Sequence, residues 1–420
     1  MLLDLNNLVL PGHSNQPAIS STLNDTVVQI NAAPAVTNEK IKLFVDAHTL
    51  DNDYQGTQTF LRELYTDLLI NYPELDIYFG VSRPDKIKKI FPLIKSSNIL
   101  MYNSWRPGIF RYLFDIPSYI EKYRFDFAHF QYMSPLSKPG CRYIVTLHDI
   151  TFNDFPEYFS FLYSKSREYL FGKSIRNAHI KTTVSDYSQS RISDYYNISP
   201  DNIHVIPNGV NELITQIYPD KKQASEWIKE KFGIENFILY VSRIEQRKNH
   251  CMLLDKYLEL ELYKQNIALV FIGTESINLP ALHSRIKKLG PKEKKLFYWF
   301  ERVDENDLAA FYTSCRLFVY PSKAEGFGIP PLEAAICKAP VLCSSATAMK
   351  NFNFFKPYFF DPADEQDFAR KLQLMIDNPP SSDFLDQVAM HVKHSYPWQR
   401  SSKLFYNLIT RDRQHDLTAI

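Results

Sequence analysis

Short apolar runs recur along the chain, and each is followed by polar residues, proline or glycine. Runs of four to six β-branched or aromatic residues are typical of strands buried on both faces of a parallel sheet. In the first half they cover residues 41–45, 127–131, 143–147 and 181–184; in the second half they cover 237–241, 268–273, 296–300, 317–320 and 358–361. The pattern therefore predicts an α/β protein in which the strand series starts twice.

Stretches with helical spacing lie between the runs and predict helices at 60–70, 187–196, 251–262, 364–376 and 398–409. A chain of 420 residues suits two domains of this class. We assign residues 1–40 to a flexible leader, 41–215 and a closing helix at 396–412 to an N-terminal domain, and 216–395 to a C-terminal domain. The Pro-Asn-Gly turn before Val210 places the boundary near residues 211–232.

Charge and cysteine content narrow the functional classes. Lys plus Arg (48) nearly equals Asp plus Glu (47), so the overall balance does not favour nucleic acid, and an anionic ligand must be held by local geometry. The five cysteines are scattered without a metal-ligand spacing. No signal sequence or membrane-spanning run is expected, and the reduced thiols favour the cytoplasm.

The densest chemical signal is the stretch LFVYPSKAEGFGIPPLEAAICKAPVLC, residues 317–343. Its first four residues predict a strand. Gly326 and Gly328 allow the backbone to approach a ligand, and the two prolines that follow suit the first turn of a helix. Ligands of open α/β sheets bind at the carboxyl ends of strands, and helix N-termini favour anions. We therefore expect a ligand site at this joint.

Two carboxylates, Glu325 and Glu333, frame this turn, and sugar hydroxyls are their natural partners. In the alternative interpretation, Glu325 is a solvated loop acid and Glu333 a favourable charge at a helix start. A second candidate anion site is SRIEQRKNH, where Arg243 and Lys248 place two cations before a helix. Arg247 competes with Lys248 for this role.

The segment EGFGIPPLE resembles the E-x7-E motif of retaining glycosyltransferases with the GT-B fold, in particular glycosyltransferase family 4. TLHDITFNDFPEYFS, VSDYSQSRI and the order strand, S-R-x4-K-N, helix are similar to further elements of that family, so the resemblance covers about residues 41–410. It implies two Rossmann-like domains facing each other across a cleft, with the C-terminal helix crossing back to the N-terminal domain.

The resemblance also implies site roles. His148, Glu325, Arg243 and Lys248 would be catalytic, with His148 pointing into the cleft after its strand. The donor-binding residues would be Gly56, Val303, Arg243, Lys248, Gly326, Phe327, Gly328 and Glu333. Two departures are visible: the first loop holds Gly56 alone where the family usually has a pair of glycines, and Glu301 stands in place of the usual glycine before the nucleobase pocket.

The predicted function is retaining transfer of a hexose from a nucleotide diphosphate sugar to a glycan or lipid-linked acceptor of cell-surface polysaccharide. Mannose from GDP-mannose is the first choice of donor, with UDP- and dTDP-sugars behind it. No cofactor is expected, and without a D-x-D motif on a loop no metal is expected. The alternative is a catalytically idle homologue that binds nucleotide sugars. A dehydrogenase lacks support because G-x-G-x-x-G is absent, and a glycosidase because both glutamates share one joint.

A basic and aromatic stretch, residues 86–124, lies in the first half and includes Lys86, Trp105, Phe110, Arg111 and Arg124. This mixture is typical of a surface that inserts partly into a membrane interface. It is also compatible with an ordinary helix that covers the sheet and has a solvated basic face. Peripheral contact with the inner face of the cytoplasmic membrane is therefore one of two interpretations.

Overall fold

The computed structural model describes residues 40–51, 56–103, 105 and 108–418, without side chains for the last five of these. The described strands form two parallel sheets within one unit, residues 40–420. The predicted leader, apart from Lys40, lies outside the described residues. Among the residues described, no helix is long and apolar enough to cross a membrane.

The first sheet has seven parallel strands in the order β3-β2-β1-β4-β5-β6-β7. Its central strands are buried on both faces, which explains why their sequences are almost continuously apolar. Val45 of the first strand lies beside Phe79 on one side and His129 on the other. The strands are β1 (Ile41–Asp46), β2 (Leu75–Val81), β3 (Ile99–Met101), β4 (Phe127–Gln131), β5 (Arg142–Thr146), β6 (Ile180–Thr183) and β7 (Ile203–Val205).

Within the described residues, six α-helices connect these strands. The first buries Phe60, Leu61, Leu64 and Leu68 at helical spacing, and the sixth is capped at its N-terminus by Ser185, whose side chain accepts a hydrogen bond from the Ser188 N–H. The helices are α1 (Gly56–Asn71), α2 (Pro84–Ile90), α3 (Ile116–Tyr123), α4 (Thr151–Asp154), α5 (Phe161–Asn177) and α6 (Asp186–Tyr196).

The second sheet has six parallel strands in the order β10-β9-β8-β11-β12-β13. They are β8 (Phe237–Val241), β9 (Ala268–Ile272), β10 (Phe297–Phe300), β11 (Leu317–Tyr320), β12 (Val341–Ser344) and β13 (Phe359–Phe360). The helices of this half are α7 (Ile214–Ile217), α8 (Lys221–Phe232), α9 (His250–Glu259), α10 (Pro280–Lys287), α11 (Pro291–Lys295), α12 (Glu305–Ser314), α13 (Ile329–Ile336), α14 (Glu365–Asp377) and α15 (Ser382–Ser395). The two parallel sheets confirm the predicted α/β architecture.

The last helix, α16 (Trp398–Thr418), returns to the first half. It packs along α1, where the rings of Tyr406 and Tyr72 are 4.4 Å apart, and the Ser401 hydroxyl donates to the Pro207 carbonyl at 2.6 Å. The predicted crossing of the closing helix is thereby confirmed.

The first helix starts earlier than the sequence predicted. Gly56 was placed in a loop before a helix at residue 60, but α1 already includes it. The first turn of α1 is polar and its apolar spacing begins only at Phe60, so the apolar pattern marked the helix start too late.

Near the proposed domain boundary, α8 packs against α12, and Trp227 Nε1 donates to Asp307 at 2.9 Å. The boundary itself stays a prediction.

Candidate active site

The carboxyl ends of strands from both sheets meet at Gly326. A Cβ added to this glycine would lie 2.7 Å from the Asp149 Cβ and 2.7 Å from the His148 carbonyl oxygen. The Ser185 hydroxyl donates to the Gly326 carbonyl at 2.6 Å, and the Ser188 hydroxyl donates to it at 3.2 Å. Glycine is required because the two halves of the molecule touch through backbone here.

Glu325, the residue before this contact, is buried in a cluster of cations. Its carboxylate pairs with Lys248 Nζ, accepts from the Tyr320 hydroxyl at 2.8 Å, and accepts from Arg247 Nη1 at 3.3 Å. Burial alone would raise the pKa of Glu325, but the charges of Lys248 and Arg247 outweigh it and lower that pKa to about 2. Glu325 is therefore ionised and fully partnered, and its expected contact with sugar hydroxyls stays a prediction.

Lys248 and Arg247 lie in the turn before α9, and both side chains contact Glu325. Burial, together with the neighbouring Arg247 charge, lowers the pKa of Lys248 to about 8 even though Glu325 favours its charged form. Arg247 bridges two carboxylates, because its Nε also lies 2.9 Å from Glu245. Sequence spacing did not separate these two cations, and the structure brings both to Glu325.

Arg243 lies apart from this cluster. Its guanidinium pairs with Glu245 at 3.0 Å and its side chain is 38% exposed. It also acts electrostatically on Tyr132 of the first half. Arg243 therefore has more freedom than Lys248 to meet a ligand, and the expected phosphate contacts of both stay predictions.

Glu333 lies in the first turns of α13 and faces the first half. It accepts a hydrogen bond from the Tyr312 hydroxyl at 2.9 Å. Burial raises the pKa of Glu333, and the charge of Arg62 on α1 opposes this. Because Arg62 also pairs with Glu305 at 3.1 Å, α1 and the second half share charged contacts beside Glu333.

The remaining predicted donor residues differ in their surroundings. Phe327 is buried, and its ring is 5.9 Å from the rings of Phe352 and Tyr396. Gly328 has φ +106°, a conformation that side chains rarely adopt. Val303 is half-buried against the apolar core, and at Gly56 an added Cβ would meet no atom of the described residues within 4 Å.

His148 lies on the other side of the Gly326 contact. Its Nε2 is 2.7 Å from the Gln131 Oε1, and its ring packs edge-on against Phe60 at 5.0 Å. Burial lowers the pKa of His148 to about 4, so the ring is neutral at pH 7. The Gln131 amide nitrogen in turn lies 3.0 Å from His129 Nε2, so residues of the neighbouring strand β4 fix the orientation of His148.

Tyr132 was missed by the sequence analysis. It directly follows β4, its φ is +65°, and an aromatic residue in that region is a conformational outlier. Its ring lies 5.4 Å from that of His148. The available signal was position: like His148, Tyr132 follows the carboxyl end of a buried strand.

In the part of the chain that the structure describes, no group of three or more His, Cys, Asp or Glu side chains could hold a metal ion. The described site contains two buried cations, Lys248 and Arg247, both paired with Glu325. Independence from metal remains a prediction.

Comparisons with known proteins agree with this geometry. Residues 54–212 match the family described as Glycosyltransferase Family 4, and residues 221–390 match Glycosyl transferases group 1. The chain is 30% identical over 218 residues to O-antigen chain mannosyltransferase B from Escherichia coli, covering 50% of this chain and 54% of that protein. It is 27% identical over 231 residues to the serotype-specific mannosyltransferase WbdA from Escherichia coli, covering 54% of this chain and 28% of WbdA.

Solved structures show the same fold. A sucrose-phosphate synthase from Thermosynechococcus elongatus superposes with a TM-score of 0.66 at 16% identity, covering 89% of this chain and 98% of that one. HepE from Anabaena, solved in complex with UDP-glucose, superposes with a TM-score of 0.67 at 15% identity, covering 88% and 99%. The predicted GT-B arrangement is confirmed, whereas the curated relatives are matched over only about a quarter to a half of their length.

Proposed function

The chain belongs to glycosyltransferase family 4, and from this premise we propose that it transfers a hexose from a nucleotide diphosphate sugar to a glycan or lipid-linked acceptor, with retention at the anomeric carbon. The observation that carries the proposal is the contact of Gly326 with His148 and Asp149. It brings the cation cluster around Glu325 and the neutral His148 to one place.

Charge distribution supports a donor with a diphosphate. Lys248, Arg247 and Arg243 lie within six residues of one another in a strand-to-helix connection, with α9 starting directly behind them. Negative charge grows on the diphosphate as the sugar leaves, and fixed cations stabilise that transition state more than the ground state. In this proposal Glu325 binds hydroxyls of the transferred sugar, Glu333 the ribose, and His148 a hydroxyl near the reacting carbon.

GDP-mannose is the donor we favour, ahead of UDP- and dTDP-sugars. The two Escherichia coli relatives are named mannosyltransferases, and so is a third, the O-antigen chain mannosyltransferase RfbU from Salmonella typhimurium. Their names also support an acceptor in cell-surface polysaccharide. The alternative, an idle homologue that only binds nucleotide sugars, is disfavoured because the charged residues of the family motifs, Glu325, Glu333, Arg243 and Lys248, are all present in the chain.

A peripheral contact with a cytoplasmic membrane face is part of the proposal. Within residues 86–124, Trp105 is 94% exposed, and Met101, Ile109, Leu113 and Phe114 are also exposed. Lys88 and Lys89 add exposed charge on α2, which suits anionic lipid. The stretch is not uniformly free: Phe91 and Tyr112 are buried, Lys86 donates to the Asp51 carbonyl at 2.9 Å, and Arg106 lies outside the described residues.

The test is a donor-hydrolysis screen across GDP-, UDP- and dTDP-sugars, with the anomeric form of the released sugar read by NMR before it mutarotates. We expect turnover of one donor, with GDP-mannose first, and release of the α sugar from an α-linked donor. The conservative variant Glu325→Gln should lower turnover, while His283→Gln, at an exposed histidine of α10, should not. Nucleotide binding by a folded protein that turns over none of these donors would favour the idle homologue.

A further inference from the structure

His48 and Asp46 form a pair at the end of β1 that the proposed donor site does not use. Asp46 is the last residue of β1 and is fully buried. Its Oδ1 accepts from the His48 Nδ1 at 2.9 Å and from the Tyr102 hydroxyl at 2.8 Å. The His48 side chain is 20% exposed, so the pair links the core of the first sheet to its surface.

The protonation of this pair follows from its contacts. Burial would raise the pKa of Asp46, but His48, Arg111 and Tyr102 lower it to about 2, so the carboxylate is ionised and can only accept hydrogen bonds. His48 Nδ1 must therefore carry a hydrogen. The other ring nitrogen, Nε2, has no hydrogen-bond partner among the described residues.

Orphaned polar atoms surround the pair. Asp46 Oδ2, Thr49 Oγ1 and Arg111 Nε are buried without a hydrogen-bond partner among the residues that the structure describes. Arg111 Nε lies 3.9 Å from Asp46 Oδ2, so the two charges offset each other. A neutral polar ligand fits this balance better than an anion or a cation would.

The position of His48 assigns it to the acceptor half of the reaction. β1 and β5 are separated only by β4, so the ends of these two strands are about 10 Å apart. His48 lies two residues beyond β1 and His148 two residues beyond β5, which puts both at the same edge of the first sheet. The cations proposed for the donor are on the second sheet.

We propose that His48 is an acceptor-binding residue, whose Nε2 forms a hydrogen bond with a hydroxyl of the sugar acceptor while Asp46 holds the ring through Nδ1. The inference rests on the proposed function and deepens it. The ligand class is a neutral glycoside, bound between His48 and His148.

Two variants separate the ring nitrogens. His48→Asn keeps a donor near Asp46 but removes the Nε2 position, whereas His48→Gln places a polar atom near the Nε2 position and gives up the Asp46 contact. Octyl α-D-mannoside is the acceptor probe, followed by octyl glycosides of glucose, galactose and N-acetylglucosamine. We expect His48→Asn to raise the acceptor KM roughly two- to tenfold, the effect of one lost hydrogen bond, and His48→Gln to raise it less.

Donor hydrolysis, nucleotide affinity and thermal unfolding should stay unchanged in both variants, and His283→Asn is the matched control. The inference is overturned if His48→Asn keeps the parent's acceptor KM, or if it slows transfer and donor hydrolysis equally, which is the sign of a structural role. It is also overturned if the parent hydrolyses the donor but shows no saturable transfer to any of these glycosides. A parent that neither hydrolyses nor transfers from any nucleotide sugar removes the proposed function and this inference with it.

Discussion

Raising the pH from 7 to 9.5 should weaken the binding of a nucleoside diphosphate to this protein, because Lys248 loses its proton in that range. Burial and the adjacent Arg247 lower the pKa of Lys248 to about 8 in the free protein. The protonated side chain attracts phosphate and the neutral one does not, so affinity falls as pH rises. The shifted thiols do not interfere, since burial raises the pKa of all five cysteines.

The magnitude follows from two limits. A group with a pKa of about 8 is about 90% protonated at pH 7 and about 3% protonated at pH 9.5, a ratio of roughly thirty. A hydrogen bond to a charged group is worth about 1.5 to 3 kcal/mol, or roughly ten- to 150-fold in affinity. We therefore expect the dissociation constant to rise between about ten- and thirtyfold over this range.

Calorimetric titration with GDP, and with UDP in parallel, measures this slope. At pH 8 the parent should also take up protons on binding, detectable as heats that differ between buffers of different ionisation enthalpy. Lys248→Met should bind weakly with a much flatter profile, whereas Lys256→Met, at a lysine of α9 that pairs with Glu259 and Glu365, should keep the parent's slope. A flat profile in the folded parent, or an unchanged slope in Lys248→Met, would refute the assignment of Lys248 to the diphosphate.

Three further predictions concern other parts of the molecule. Gly326→Ala should lower kcat/KM for transfer roughly five- to 150-fold, because the added Cβ would overlap Asp149 and His148 and overpacking costs about 1 to 3 kcal/mol. Unaltered steady-state kinetics in this variant would contradict a requirement for glycine at the contact. Turnover should survive exhaustive chelation, and a loss that Mg²⁺ or Mn²⁺ restores would reveal a metal site. Co-sedimentation with anionic vesicles should fall with salt and with Lys88, Lys89 and Trp105 changed together to Ser, while donor hydrolysis persists; equal sedimentation of variant and parent would favour a solvated helix face.

Strands buried on both faces were predictable from sequence because such burial leaves a nearly continuous apolar run, whereas β2, β3 and β7 were not predicted. The runs at 127–131, 237–241 and 317–320 coincide with β4, β8 and β11. The start of α1 was missed because its first turn is polar. Without apolar residues, that turn shows no helical spacing in the sequence. The apolar pattern therefore predicted elements whose residues pack in the core, but it did not predict the polar turn that begins a helix.

Contacts between side chains that are distant in sequence could not be predicted from the sequence alone. Lys248 and Glu325 are 77 positions apart and meet because β8 and β11 are neighbours in the sheet. His148 is held by Gln131 because β4 pairs with β5. Spacing could place two cations near a helix start, but it could not show that Arg247 turns toward Glu325 while Arg243 stays half exposed.

The same pairing bears on how donor binding would proceed under the proposed function. In the structure Lys248, Arg247 and Tyr320 already occupy the carboxylate of Glu325. A diphosphate that pairs with Lys248 would therefore compete with Glu325 for it, and the carboxylate would then have capacity to accept hydroxyls of the transferred sugar. Arg247 can maintain the charge balance during this exchange because it also holds Glu245. Phosphate binding and sugar binding are then coupled through one buried lysine, so a sugar without its diphosphate should find Glu325 already satisfied.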